Sequence, residues 1–210
     1  LNDARVRRAL SLAVDREALV RDVVCGGGQP CFGFTPDGAG YKTPHGVEFN
    51  PEKARSLLAQ AGFPGGEGFP LGIHVDIRSC EWTAYKFAQN SMQYDFSSSS
   101  WSGDYLDPSS FLDLWGSASG NNNTGWFHPE YERLLAESRA TGDLEKRMAL
   151  LARAEALMLS ESPVIPLYWA KRSYLKRPEV RGWHPLLLDN HLFEDISLDD
   201  TREHGKEAAP

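Results

Sequence analysis

Apolar residues recur at three- and four-residue spacing over residues 3–14 (Val6, Ala9, Leu10, Ala13) and 15–24 (Ala18, Leu19, Val23), which predicts two consecutive helices. Each begins at an Asp, whose side-chain oxygen can accept from the free N–H groups of a first turn. Three glycines at 26–28 break the pattern. From there to Phe49 the chain is rich in Gly and Pro with little periodicity, so an ordered but irregular loop is expected; no Gly-Lys-Ser/Thr follows the glycines to make a phosphate loop. Helical spacing returns after Asn50. Asn50 is the expected cap, Pro51 the first helical residue, and Gly62 then Pro64 the stop.

Beyond a Gly-rich turn at 65–68 the period changes. Ile73, Val75 and Ile77 alternate with His74, Asp76 and Arg78, as in a half-buried strand. Residues 82–91 read as a short helix. Tyr94 and Phe96 alternate with Asp95 and Ser97, predicting a strand that runs into Trp101. Asp107-Pro108 then opens a helix reaching Trp115. Residues 116–125, with Asn121, Asn122 and Asn123 in series, read as a polar loop. Pro129 opens a helix carrying Tyr131, Leu134 and Leu135. Asp143 caps another with Met148, Leu151, Ala154, Leu157 and Met158 on one face, the Met residues serving as core filler. Residues 164–169 read as a short strand that Pro166 places at an edge or bulge. Residues 174–196 are irregular, with Trp183 and Phe193 as anchors, and 199–210 form a polar tail expected to be disordered.

A chain of 210 residues suits one large domain or one and a half small ones. Its net charge of −7 argues against a nucleic-acid or anionic-membrane surface, which needs clustered Lys and Arg. No run is long enough for a membrane span. With Leu1 first and no signal peptide visible, the sequence reads as a mature or excised piece. Cys25 and Cys31 are close enough to bridge the Gly-rich turn in an oxidising compartment; as plain thiols they need no partner.

Little catalytic chemistry is legible. The six His are scattered without metalloprotease spacing, no CxxC pair is present, and neither a metal nor a cofactor is expected. Ser173-Tyr-Leu-Lys176 matches the SxxK pattern but lacks that motif's companion elements and follows a strand, so it reads as chance. The stretch that stands out is 97–115. Asp107 has a capping job there. Asp104 sits between Trp101 and Tyr105, so a carboxylate is offered between two aromatic surfaces, an arrangement that could hold a cationic or amine-bearing ligand. The plain alternative is a surface Asp beside two core aromatics.

Several stretches, in order, resemble the C-terminal lobe of the periplasmic oligopeptide-binding proteins, the solute-binding receptors of peptide and nickel ABC importers. They are Asp3-Ala-Arg-Val-Arg-Arg-Ala-Leu-Ser-Leu-Ala-Val-Asp15-Arg16, Phe49-Asn-Pro-Glu-Lys-Ala-Arg55 with Ala61-Gly-Phe-Pro64, Glu81-Trp82, Tyr94-Asp95 leading to Trp101-Ser-Gly-Asp104-Tyr105, Pro163-Val-Ile-Pro-Leu-Tyr168, and Leu188-Asp-Asn190. The resemblance implies an α/β fold: a single lobe of a periplasmic-binding-protein type II-like fold, a mixed sheet flanked by helices. It covers residues 1–198, with 171–198 resembling the return segment to the other lobe.

By that resemblance the strand ending at Trp101 pairs with a peptide backbone, Asp104 holds the peptide's N-terminal ammonium, and Trp101 and Tyr105 shape the first pocket. Ser100 and Ser102, flanking Trp101, join this ligand-binding set. Family members that grip the peptide's C-terminus often use an Arg before the Trp; the matching positions here are Gln89 and Ser98, which puts carboxylate recognition in doubt. Full-length members are over twice this length and close two lobes over the ligand. Phe69-Pro70 also runs directly into Leu71-Gly72-Ile73, where the family has a further strand and helix. The expected function is therefore that of a truncated peptide-binding lobe, periplasmic or extracytoplasmic and not an enzyme. Its ligand is an oligopeptide, held weakly or not at all by one lobe, and its family partner is a membrane ABC permease. The alternative is a structural remnant that no longer transports and survives as a homo-oligomer, its exposed edge and apolar face paired between copies.

Overall fold

The N-terminal helix α1 (Ala4–Leu12) starts where Asp3 accepts the Arg5 N–H at 2.8 Å, and it buries Val6, Ala9, Leu10 and Leu12. In the computed structural model, which describes residues 1–64, 76–186 and 191–199, the chain divides into two units, Leu1–Lys171 and Arg172–Pro210. In the first, α2 (Arg16–Ala18) is capped by Asp15 and widens into a π-helical turn, Leu19–Val24, that ends at Cys25 in the left-handed region. Helix α3 (Pro51–Gln60) has the expected Asn50 cap and packs Ala54, Leu57 and Leu58 against Ala9 and Leu12 of α1.

Helix α4 spans Trp82–Asn90; Glu81 caps it, accepting from the N–H groups of Thr83 (2.8 Å) and Ala84 (3.3 Å). Helix α5 (Ser109–Leu112) tightens into a 3₁₀ turn, Asp113–Trp115. Helices α6 (Pro129–Ala140) and α7 (Leu144–Glu161) form the main core: Tyr131, Leu134 and Leu135 of α6 meet Leu151, Ala154 and Met158 of α7, joined by Leu112 and Val47. Asp143 caps α7 as expected. The α6 cap is one the sequence reading did not name: His128 Nδ1 accepts the Glu130 N–H at 3.2 Å.

The irregular loop between residues 25 and 49 is fixed to α7 by one buried carboxylate. Glu155 accepts from the N–H groups of Phe34 (2.7 Å) and Thr35 (3.2 Å) and from the Tyr41 hydroxyl (2.6 Å). Buried polar groups need such partners, and burial beside Glu155 pushes the Tyr41 hydroxyl pKa well up. Arg16 is equally buried and donates to the carbonyls of Pro166 (2.7 Å) and Ser11 (3.1 Å), tying α2 to the segment before β2.

The fold is α/β, and the sheet among the described residues consists of two antiparallel pairs. Strand β1 (Gln29–Pro30) pairs with β2 (Tyr168–Trp169), Gln29 opposite Trp169. The strand expected over 164–169 thus keeps its last two residues, since Pro163 and Pro166 offer no N–H to a ladder. In the second unit β3 (Val180–Arg181) pairs with β4 (Ser197–Leu198). There Trp183 lies between Tyr174 (ring centroids 4.2 Å) and His191 (4.8 Å), whereas Phe193 is exposed rather than an anchor.

Three readings need correction. Residues 94–101 form no strand: the chain has no partner to pair with among the described residues. Asp76, Ile77 and Arg78 have no regular structure, and the rest of that expected strand lies outside the described residues. The tail does not begin at 199, because the Asp199 N–H donates to Glu179 O (2.8 Å) and its carboxylate pairs with Arg181 (2.9 Å). The turn at 65–68, the 69–73 junction, Leu188-Asp-Asn190 and residues 200–210 lie outside the described residues. The cysteines are free thiols, Cys25 and Cys80 exposed and Cys31 buried; burial pushes the Cys31 pKa up to about 12.

Candidate functional site

The loop from Trp101 to Asp107 is laid against the first turn of α5. Asp107 starts that turn, its Oδ1 accepting from the Ser109 N–H (2.9 Å) and hydroxyl (2.7 Å). Arg147, on α7, grips the same carboxylate with two N–H groups at 2.6 and 2.7 Å. Partial burial raises the Asp107 pKa, but the Arg147 guanidinium and the two Ser109 donors outweigh it and hold the carboxyl down to about 2. Asp107 is therefore spent on structure.

Asp104 differs in every respect. It is exposed, and its carboxylate has no hydrogen-bond or ionic partner among the described residues. Its backbone N–H donates to Ser110 Oγ at 2.7 Å, so the residue is held while its charge is left open. On either side, Trp101 is 37% exposed and Tyr105 48% exposed, so neither is the core aromatic of the plain alternative. Both are nevertheless tethered: Trp101 Nε1–H donates to Ser110 O (2.9 Å), and the Tyr105 and Ser109 hydroxyls lie 3.3 Å apart.

The approach to Trp101 is held by α4. Gln89 is 8% exposed, and its amide nitrogen donates to Tyr85 Oη (2.7 Å) and Ser97 Oγ (3.0 Å) while its oxygen accepts from Lys86 Nζ (2.9 Å). Tyr85 Oη donates in turn to Ser98 O at 2.9 Å. The structure thus places Gln89 inside, bracing Ser97 and Ser98, while Ser98, Ser100 and Ser102 are exposed along the loop. The backbone groups of Ser99, Ser100 and Trp101 make no hydrogen bond among the described residues. An exposed backbone edge is what an added peptide strand pairs with.

Sequence reasoning did not name Tyr85, Ser109, Ser110 or Arg147. Tyr85 and Gln89 carried a signal, being one helical turn apart on α4. Arg147 carried none, because it is 40 residues from the Asp it holds. Elsewhere in the first unit, Pro30, Phe32, Asp37, His45 and Trp169 line an open cleft of about 390 Å³, and none of the sequence-read site residues lines it. Among the described residues no three His, Cys, Asp or Glu are grouped to hold a metal, and no helix is long and apolar enough to cross a membrane.

The chain has the fold of the bacterial periplasmic solute-binding proteins. The family model described as "Bacterial extracellular solute-binding proteins, family 5 Middle" matches residues 1–71. The chain is 29% identical to the periplasmic oligopeptide-binding protein OppA of Salmonella typhimurium, over 87% of this chain and 39% of that protein. It is also 29% identical to the dipeptide-binding protein DppE of Bacillus subtilis, over 84% of this chain and 39% of the relative. A periplasmic oligopeptide-binding protein from Borrelia burgdorferi superposes with a TM-score of 0.83 at 29% identity, covering 94% of this chain and 46% of that one. The chain is accordingly related to the oligopeptide-binding proteins and corresponds to part of them, with their type II periplasmic-binding fold. It spans about 40% of the length of the curated relatives it matches.

Proposed function

We propose that the chain is a peptide-binding lobe in which Asp104 takes the N-terminal ammonium of an oligopeptide. The observation that carries this reading is the contrast within one loop: Asp107 is neutralised by Arg147, while Asp104 is held by its backbone with its charge open, in a loop that also exposes Trp101 and Tyr105. An ammonium leaving water needs a charged partner, and Asp104 can supply it. The unpaired backbone at Ser99, Ser100 and Trp101 would pair with the peptide main chain, which makes recognition indifferent to side chains. Ser98, Ser100 and Ser102 border that edge, and Gln89 acts by bracing it from α4. Residues 1–198 would form the lobe, with 171–198 as its return segment. The relatives' names support a periplasmic setting, and an ABC permease would be the transport partner. One wall of a cleft buries less of a ligand than two, so the isolated chain should bind weakly.

Calorimetric titration with tri- to pentapeptides tests this. Free-amine peptides should bind, their N-acetylated forms should bind at least roughly tenfold more weakly, and Asp104→Asn should impose a similar loss, the scale of a charge-assisted hydrogen bond. Equal binding of free and acetylated peptides, or an Asp104→Asn variant that binds as the wild type does, would remove Asp104 from the role.

A second reading, self-association of a lobe that no longer transports, is favoured by the exposed aromatics of α4, where Trp82 is 69% and Phe87 65% exposed.

A further inference from the structure

We infer that Ser110 is the positioning residue of the ammonium site: it sets where the Asp104 carboxylate stands without touching the ligand. The inference rests on the reading of Asp104 proposed above. Ser110 is buried on the first turn of α5, and two separate groups of this one residue hold the loop. Its hydroxyl oxygen accepts the Asp104 N–H at 2.7 Å, and its carbonyl accepts the Trp101 indole N–H at 2.9 Å. The main chain of Asp104 and the indole of Trp101 are thereby both fixed to one residue.

Its neighbours complete the template. Ser109 sits 3.3 Å from the Tyr105 hydroxyl. Phe111 closes on the turn so tightly that a Cβ on Gly103 would come within 2.8 Å of its ring. Residues 109, 110 and 111 thus fix 105, 101 with 104, and 103 respectively. The template is itself fixed to the core, because Asp107 starts the turn and Arg147 of α7 holds Asp107. An exposed carboxylate on a mobile loop has both main chain and side chain to order as it binds an ammonium; with the main chain already bonded only the side chain remains to be ordered, and preorganisation of this kind lowers the cost of binding.

Ser110→Ala removes only the hydroxyl; its carbonyl and the Trp101 bond remain. Two readouts are needed. Exchange of the Asp104 backbone amide, followed by NMR, reports the hydrogen bond with no ligand present, and should quicken roughly tenfold or more in Ser110→Ala and return toward wild type in Ser110→Thr. Affinity for a free-amine tripeptide should fall roughly five- to tenfold in Ser110→Ala, with no change for the N-acetylated peptide and with recovery in Ser110→Thr. Gly103→Ala, which displaces the turn from Phe111 and keeps the hydroxyl, should weaken the free-amine peptide likewise.

If Asp104 amide exchange is unchanged in Ser110→Ala, the positioning role is overturned whatever the peptides do. It is also overturned if exchange quickens while free-amine affinity holds and Asp104→Asn still weakens it, the ammonium reading then standing alone. If the wild-type chain does not prefer free-amine peptides, or Asp104→Asn is without effect, the ammonium reading fails and takes the inference with it.

Discussion

Two aspartates three residues apart have opposite fates, and the difference lies in what reaches them. Asp107 is met by Arg147 and Ser109 and is held to a pKa of about 2, below the ordinary carboxylate value of about 3.9. A group with a depressed folded pKa stabilises the fold above its unfolded pKa and loses that contribution as pH falls through the folded value. Asp107→Asn should therefore lower the urea midpoint at pH 6, and the gap from wild type should narrow by pH 3. A gap independent of pH would show that the Arg147 pair contributes nothing. Half of the Asp107 story is local, an Asp before Pro at a helix start, and that half was legible in the sequence. The Arg147 half depends on the packing of α5 against α7. Asp104 was legible only as a residue without an evident structural job.

The helices were readable because their causes are local. Asp3, Asp15, Asn50 and Asp143 cap where expected, and the apolar spacing of α6 and α7 is the face that became the core. Residues 94–101 misled because alternation and aromatic content describe a strand's side chains, whereas a ladder also needs a neighbour. The loop between 25 and 49 was read as irregular, but nothing local announces its attachment to Glu155 on α7. Its tightest point is Gly33, where a Cβ would meet Thr43 Cγ2 at 2.1 Å and Pro44 O at 2.9 Å. Gly33→Ala should destabilise the chain by about 1–3 kcal/mol in urea unfolding, as overpacking does. Gly120→Ala, with open space around it, is the control. Equal stability of the two variants would mean that the loop yields freely and is not a packed element.

At the scale of the whole molecule the question is what the exposed aromatics of α4 and the open edge at 99–101 meet. If they serve a peptide, the chain should run as a monomer in light scattering at the concentrations used for titration. A stable oligomer that binds no peptide would favour the self-association reading instead. The most direct measurement is a titration of the isotope-labelled chain with a free-amine tripeptide, followed through its backbone amide resonances. The largest shifts should fall on Ser99, Ser100, Trp101, Asp104 and Tyr105, with Phe32, His45 and Trp169 of the 390 Å³ cleft unmoved. Shifts confined to that cleft, or no shifts from a folded sample, would contradict a peptide site at Asp104.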